Sequence, residues 1–316
     1  MTNTKEFDIV VHGATGFTGR LVIEYLLTRK DTGLRWAMGG RSLEKLAAVR
    51  DEVGAPADTP LVVTDSADSA SLAALMARTR LVLTTVGPYQ LYGNELVKAC
   101  AESGVDYVDL CGEPAWMRHM IDAHEAAAKA SGARIVFSCG FDSIPFDLGM
   151  LVLQTEMTKR FGAPAPRVRG RVRKMKGTFS GGTAASLKAT MAAAATQPGV
   201  LDLLRNPFSL TPGFEGPRQP SGNKPMLEEA LGMWVAPFVM AAINTRNVHR
   251  SNFLLGHAWG TDLVYDEMLI TGTGTRGQAI AEAVAADKSL GGEGGPKPGE
   301  GPSRTEREAG FYDVMF

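Results

Sequence analysis

Cysteine is scarce: the 316 residues hold three, Cys100, Cys111 and Cys139. The odd count leaves no complete disulfide framework, and spacings of 11 and 28 match no zinc pattern. A reducing compartment fits that usage. A membrane-length apolar run is missing too. Ala230–Ile243 is the longest nearly uninterrupted one, and its fourteen residues, broken by Pro237, fall short of the roughly 20 that span a bilayer. Excess charge of one sign is also absent. The 33 Lys+Arg against 34 Asp+Glu give a net charge of −1, which argues against a dedicated nucleic-acid binder. No signal peptide is expected, because the N-terminus runs directly into a strand. The expected location is cytoplasmic, with contact at a lipid surface left open. What is present is ordinary globular composition, 44% apolar and 21% charged. At about 150 residues per domain, the length suggests two domains.

The first part of the chain alternates strand and helix patterns. Apolar runs at Phe7–His12, Arg35–Met38, Leu61–Thr64, Leu81–Val86, Tyr107–Leu110 and Arg134–Ser138 read as strands. Helix patterns lie between them, at Thr18–Arg29, Ser42–Arg50, Glu95–Ser103 and Met117–Ser131. Gly104 and Gly132 read as C-caps of the last two. Such alternation predicts an α/β fold, a Rossmann-type doubly wound parallel sheet with helices on both faces. A boundary is expected after residue 145, with 1–145 the dinucleotide-binding domain and 146–316 a mixed α/β substrate or dimerisation domain.

Beyond the boundary the texture changes. A helix over Phe146–Lys159 is expected, then a strand over Arg167–Phe179 and an Ala-rich helix ending at Ala195. Residues 206–225, with five prolines, read as loop. A helical stretch follows, then a strand at Leu263–Thr271. Gly291–Ser303, with six Gly and three Pro, reads as a flexible loop. Gly310–Phe316 reads as a new strand, so the chain is expected to be truncated at its C-terminus.

The sharpest motif is Gly13-Ala-Thr15-Gly16-Phe17-Thr18-Gly19. It follows an apolar strand and opens a helix, the context a dinucleotide fingerprint requires. Its spacing is G-x-x-G-x-x-G, but the physics is shared. Glycines allow a tight turn and close backbone approach, and the helix start offers N–H groups to a diphosphate. An NAD site expects an acidic residue at the end of the second strand. Here stand Gly40, Arg41 and Ser42. Arg41 suits a 2′-phosphate, so NADP(H) is favoured, against the alternative of a solvated surface charge. Asp65, after the third strand, either borders the adenine or, with Ser66, caps a helix. Val86, Gly87 and Pro88 end the fourth strand and Cys111 and Gly112 the fifth, where the cofactor crevice of such a sheet opens. Short-chain reductase chemistry is excluded, because none of the six tyrosines has Lys four residues on.

Gly13–Gly19, Gly40-Arg41-Ser42, Val86-Gly-Pro-Tyr89, Tyr107–Glu113 and Gly140–Pro145 together resemble the saccharopine dehydrogenase-like oxidoreductases, most nearly the trans-acting enoyl reductase branch. Residues 244–251 and 299–303 extend the resemblance. It implies an NADP-type Rossmann domain, a mixed α/β second domain and a longer chain than this one. It also implies hydride transfer to a C=C bond of a lipid or polyketide intermediate, on a small-molecule or carrier-bound acyl substrate.

Two catalytic candidates follow. Tyr89 is either a proton donor or a packed aromatic, and Asp142 either an acid or a turn former. Arg167, Arg169, Arg171 and Arg173 alternate along one strand and face either a phosphorylated carrier or solvent at a sheet edge. Leu231–Ile243 reads as core helix or the lining of a lipid pocket. His12 reads as packed, and no metal is expected. The rival functions are a saccharopine-type enzyme acting on a secondary amine, and a non-catalytic dinucleotide-binding or lipid-surface protein. A homodimer is a further expectation.

Overall fold

The structure, a computed structural model, describes residues 5–29, 33–287, 296–297 and 299–316. Residues 291–295 and 298 of the expected loop Gly291–Ser303 lie outside them. The chain divides into two compact units, each discontinuous in sequence. The first comprises residues 1–140, 180–192 and 296–301, and the second 141–179, 193–295 and 302–316.

The first unit alternates β1 (Phe7–His12), α1 (Phe17–Thr28), β2 (Trp36–Gly40), α2 (Leu43–Glu52), β3 (Leu61–Val63), α3 (Ser69–Arg78), β4 (Thr79–Thr84), α4 (Tyr89–Tyr92), α5 (Asn94–Ser103), β5 (Asp106–Val108), α6 (Pro114–Ser131) and β6 (Ile135–Val136). Its six strands stand in the order β3-β2-β1-β4-β5-β6, every neighbouring pair parallel. Parallel strands covered on both faces need apolar side chains in succession. Val10 and Val11 of β1 are accordingly both fully buried, and Val11 packs with Ala14, Ile23, Met38, Leu46 and Val49. Gly104 (φ +69°) and Gly132 (φ +82°) take the left-handed conformation and end α5 and α6 as expected, each N–H returning to a carbonyl four residues back. The strand order reverses between β1 and β4. A ligand crevice in a doubly wound sheet opens at that point, beyond the carboxyl ends of the strands.

The second unit contains α7 (Ile144–Phe161), β7 (Arg167–Lys176), α9 (Val200–Arg205), β8 (Met226–Glu228), β9 (Met233–Pro237), α10 (Ala241–Leu254), β10 (Val264–Gly272), α11 (Gly274–Ala286), α12 (Arg304–Glu308) and β11 (Phe311–Met315). The intervening α8 (Gly181–Thr196) belongs to the first unit through Ala192. The second sheet has the order β11-β7-β10-β9-β8 and is mixed: β7 and β10 run parallel and the other pairs antiparallel. Its core joins Met150 of α7 and Val248 of α10 to Val168, Trp259, Leu263 and Tyr265.

Two expectations are corrected in this unit. Leu231–Ile243 is no continuous helix. Gly232 (φ +62°) turns the β8–β9 hairpin, Met233–Pro237 is strand, and α10 begins only at Ala241. Pro237 has no N–H for a helix interior, and it stands at the strand's end where none is needed. The arginines of β7 are no edge stripe either. β7 lies inside the sheet, and Arg171 is buried, its Nη2 2.7 Å from Glu228 and 2.9 Å from Asp266. Arg167 pairs with Asp266, Arg169 with Glu228 and Arg173 with Asp313. Alternation put these charges on one face, but acidic partners from β8, β10 and β11 neutralise them. Among the described residues no helix is long and apolar enough to cross a membrane.

Candidate functional site

The turn between β1 and α1 is built by close approach. Gly13 (φ +89°) accepts the Gly16 N–H at 2.9 Å, while the Gly13 and Ala14 N–H groups donate to the Gly39 carbonyl. A side chain at Gly19 would run into the Gly13 carbonyl oxygen and stand 2.8 Å from the Ala14 Cα. Only glycine lets α1 start this near the sheet. Gly16 caps α1 without any side-chain hydrogen bond, and the Gly13 carbonyl is all that would crowd a side chain there. The first turn carries no acidic residue. Backbone N–H groups and the positive end of the helix dipole therefore face outward with no carboxylate beside them. Thr15 and Thr18 flank this opening, half-buried. The Phe17 ring lies instead against Gly301, where a Cβ would overlap it.

At the end of β2, Arg41 is exposed and its guanidinium forms no ion pair with a described residue. Ser42 caps α2, its Oγ accepting the Lys45 N–H at 3.2 Å. Asp65 does not cap α3. Its Oδ1 accepts the Ala67 N–H at 3.0 Å in a local turn, and Asp68 provides the cap. His12 is buried as expected, with Nε2 2.9 Å from Ser66 Oγ. Burial, reinforced by the nearby Arg41 charge and opposed by Asp65, pushes its pKa down to about 4, so the ring is neutral near pH 7. His12 Nδ1 and Thr64 Oγ1, at the ends of β1 and β3, are buried polar atoms with no hydrogen-bond partner among the described residues.

The loops after β4 and β5 interlock. Glu113 is buried and receives the N–H groups of Tyr89 and Gln90, each at 2.9 Å. This clamps the cis Gly87–Pro88 turn that follows the half-buried Val86. Cys111 is buried, so its thiol is not presented to solvent. Its Sγ accepts the Glu113 N–H, and burial beside Asp109 and Glu113 drives its thiol pKa up. Gly112 is exposed, with open space where a side chain would stand. Asp109 holds the ends of β5 and β6 together, accepting from Cys111 N, Ser138 N and the Tyr107 hydroxyl. Burial raises its pKa to about 7.

The two catalytic candidates fall in different places. Tyr89, on α4, is 4% exposed and packs on Trp116. Its hydroxyl donates to the Thr84 carbonyl at 3.4 Å and accepts the Leu110 N–H at 3.3 Å. Burial pushes its pKa well above the ordinary tyrosine value. That geometry is a packed aromatic joining the ends of β4 and β5, not a hydroxyl presented to a ligand. Asp142 belongs to the second unit, just before α7, where its carbonyl accepts from Asn244 Nδ2 at 3.0 Å. Burial raises its carboxyl pKa.

One part of the site escaped the sequence reading. The first part of α8 packs on the turn after β4. Ser186 Oγ lies 3.4 Å from the position a Gly87 Cβ would take, and Gln90 Nε2 donates to Thr190 Oγ1 at 3.3 Å. The available signal was the spacing of Thr183, Ser186 and Thr190, one polar stripe on an Ala-rich helix.

The residues present fit an NADP(H) dinucleotide. The uncapped helix start suits a diphosphate, and the unpaired Arg41, where a carboxylate would stand in an NAD site, suits a 2′-phosphate. Comparison with known proteins agrees. The family "Saccharopine dehydrogenase NADP binding domain" matches residues 9–136. A provisionally named trans-acting enoyl reductase of Mycobacterium tuberculosis is 40% identical over 340 residues, covering 99% of this chain and 81% of its own. Trans-acting enoyl reductases of Mycobacterium ulcerans and Mycobacterium leprae are 38% and 36% identical, each over 98% of this chain and 80% of theirs. Among solved structures, the amine dehydrogenase of Mycobacterium smegmatis matches at 19% identity and a TM-score of 0.42, covering 88% of this chain and 82% of that one.

Proposed function

Because the chain belongs to the saccharopine dehydrogenase-like NADP-binding family, in its trans-acting enoyl reductase branch, we propose that it reduces the activated C=C bond of an acyl thioester with NADPH. The observation that carries this reading is the pairing of an uncapped, glycine-built helix start with the unpaired Arg41 guanidinium. N–H groups of the first turn of α1, from Thr18 onward, bind the diphosphate, with Gly13, Gly16 and Phe17 shaping the approach. Arg41 takes the 2′-phosphate, and Ser42 supports it from the start of α2. The backbone of Val86, Gly87, Pro88, Cys111 and Gly112 borders the nicotinamide riboside, and Asp65 borders the adenosine.

When bound, NADPH supplies the hydride, and the neighbouring carbon then takes a proton. The protein holds the alkene in line, keeps out water and supplies dipoles where enolate charge develops. Tyr89 acts in this scheme by position, because its hydroxyl is engaged by Thr84 and Leu110. Asp142 is the proposed acid, since burial keeps its carboxyl protonated to higher pH than usual. A saccharopine-type substrate, with several carboxylates, is disfavoured: the arginines of β7 that would have met it are paired within their own sheet. The acyl group is free or carrier-bound.

The test follows loss of reduced-nicotinamide absorbance with an α,β-unsaturated acyl thioester, using NADPH and NADH in parallel. Turnover preferring NADPH supports the reading. NADPH binding without turnover on any enoyl or imine substrate removes it in favour of a dinucleotide-binding protein.

A further inference from the structure

Helix α8 is distant in sequence from the Rossmann core, yet its first part belongs to that unit. That part is fastened there at two points. The Gly181 N–H donates to the Glu300 carbonyl, and a side chain at Gly181 would overlap the Lys297 carbonyl. The same strand of chain, residues 296–301, reaches the Phe17 ring through Gly301. Near Ala192, Thr190 is tied to Gln90. Thr183, Ser186 and Thr190 stand three and four residues apart and so share one face of the helix.

Two of these hydroxyls are engaged. Thr183 Oγ1 lies 3.5 Å from Ser180 Oγ, and Thr190 holds Gln90. Ser186, between them, is partly buried and has no hydrogen-bond partner among the described residues. It stands over Gly87, at the carboxyl end of β4, one side of the point where strand order reverses. A helix segment tied at Gly181 and Thr190, with a hydroxyl between them that has no partner among the described residues, has the form of a ligand-binding wall. The Tyr89 ring, 3.5 Å from the same Gly87 position, has its hydroxyl engaged by the Thr84 carbonyl and the Leu110 N–H.

We propose that Ser186 is a cofactor-binding residue, whose hydroxyl holds the carboxamide at the nicotinamide end of NADP(H). This rests on the proposed NADPH-dependent reading, and the test separates the two. Calorimetric titrations are run with NADPH and with 2′,5′-ADP, which carries the 2′-phosphate and adenosine but no nicotinamide. In Ser186→Ala, the NADPH Kd rises about three- to tenfold, the scale of one lost hydrogen bond, and the 2′,5′-ADP Kd is unchanged. Ser186→Thr, which keeps the hydroxyl, restores NADPH affinity. Equal weakening of both ligands makes Ser186 structural, and unchanged NADPH affinity makes it a bystander. Either result overturns the assignment while leaving NADPH use intact. A wild-type protein that binds neither ligand overturns both.

Discussion

The carboxylate of Glu113 accepts both the Tyr89 and the Gln90 N–H, one oxygen to each at 2.9 Å. A single buried side chain, just past β5, thereby sets the backbone course of the turn after β4. Its neighbours on the chain are bound into the same unit: Cys111 Sγ accepts the Glu113 N–H, and Asp109 accepts the Cys111 N–H. The Cys-Gly-Glu and Val-Gly-Pro-Tyr segments, separate in sequence, are one structural device, and the Tyr89 ring is held inside it.

Removing that carboxylate leaves a buried donor at Tyr89 and a part-buried one at Gln90 without their acceptor. An unpaired buried donor costs about 1–3 kcal/mol. Glu113→Ala is therefore expected to lower unfolding free energy by about 2–4 kcal/mol, seen as a lower urea midpoint. Glu113→Gln, which retains one acceptor, should lose about half as much. Equal midpoints for wild type and both variants would show that the clamp does not hold the fold.

Arg41 separates the two nicotinamide cofactors. A charge-assisted hydrogen bond to phosphate is worth about 1.5–3 kcal/mol, so Arg41→Ala should raise the NADPH Kd by roughly 10- to 100-fold. NADH, lacking the phosphate, should bind wild type and variant alike. Fluorescence titration of both cofactors checks this, and equal wild-type affinity for NADH and NADPH contradicts the role given to Arg41.

Local rules made the first unit legible. Short strands with apolar successions, glycine caps at Gly104 and Gly132, and a glycine turn between strand and helix each depend on a few adjacent residues. The second unit depends on distant ones. Nothing near Arg171 announces Glu228 or Asp266, which turn an apparent basic stripe into buried ion pairs. Met233–Pro237 reads as part of an apolar helix until β8 and β10 are present to pair with it. The same limit applied to the site. Gly87 and Ser186 meet only because α8 joins the first unit, and Tyr89 could be placed beside the crevice from sequence without its hydroxyl's direction.

Two glycines in that site predict opposite responses. A methyl at Gly19 would overlap the Gly13 carbonyl, forcing α1 away from the sheet, whereas a methyl at Gly112 meets nothing within 4 Å. Gly19→Ala is expected to weaken NADPH at least tenfold and to lower the urea midpoint. Gly112→Ala should leave the midpoint unchanged and weaken NADPH only through ligand crowding. Calorimetry and urea unfolding on both variants decide it. A Gly19→Ala protein with wild-type affinity would mean that the helix start is not where the diphosphate binds.

One contribution to the pH dependence of stability comes from Glu267, fully buried in β10 between the Tyr265 hydroxyl at 2.8 Å and Asn244 Nδ2 at 3.0 Å. Burial raises its pKa from the ordinary 4.5 to about 8. Between those values the folded protein holds a proton that the unfolded chain has released, so stability falls as pH rises through the window. His12 and His249 act in the opposite sense below 6.5. Burial lowers both to about 4, so there the unfolded chain takes up protons that the folded one does not. Asp109, raised to about 7, acts in the same sense as Glu267 below that value, so the Glu267 contribution is clearest from pH 7 to 8, where unfolding free energy should decline by up to about 1.4 kcal/mol per pH unit. Glu267→Gln should flatten that decline. The amide keeps a single acceptor, so either the Tyr265 hydroxyl or Asn244 Nδ2 loses its partner at this side chain; overall stability falls while the slope flattens. Urea unfolding at pH 7, 7.5 and 8 measures the slope, and a variant as steep as wild type would assign the titration to another group.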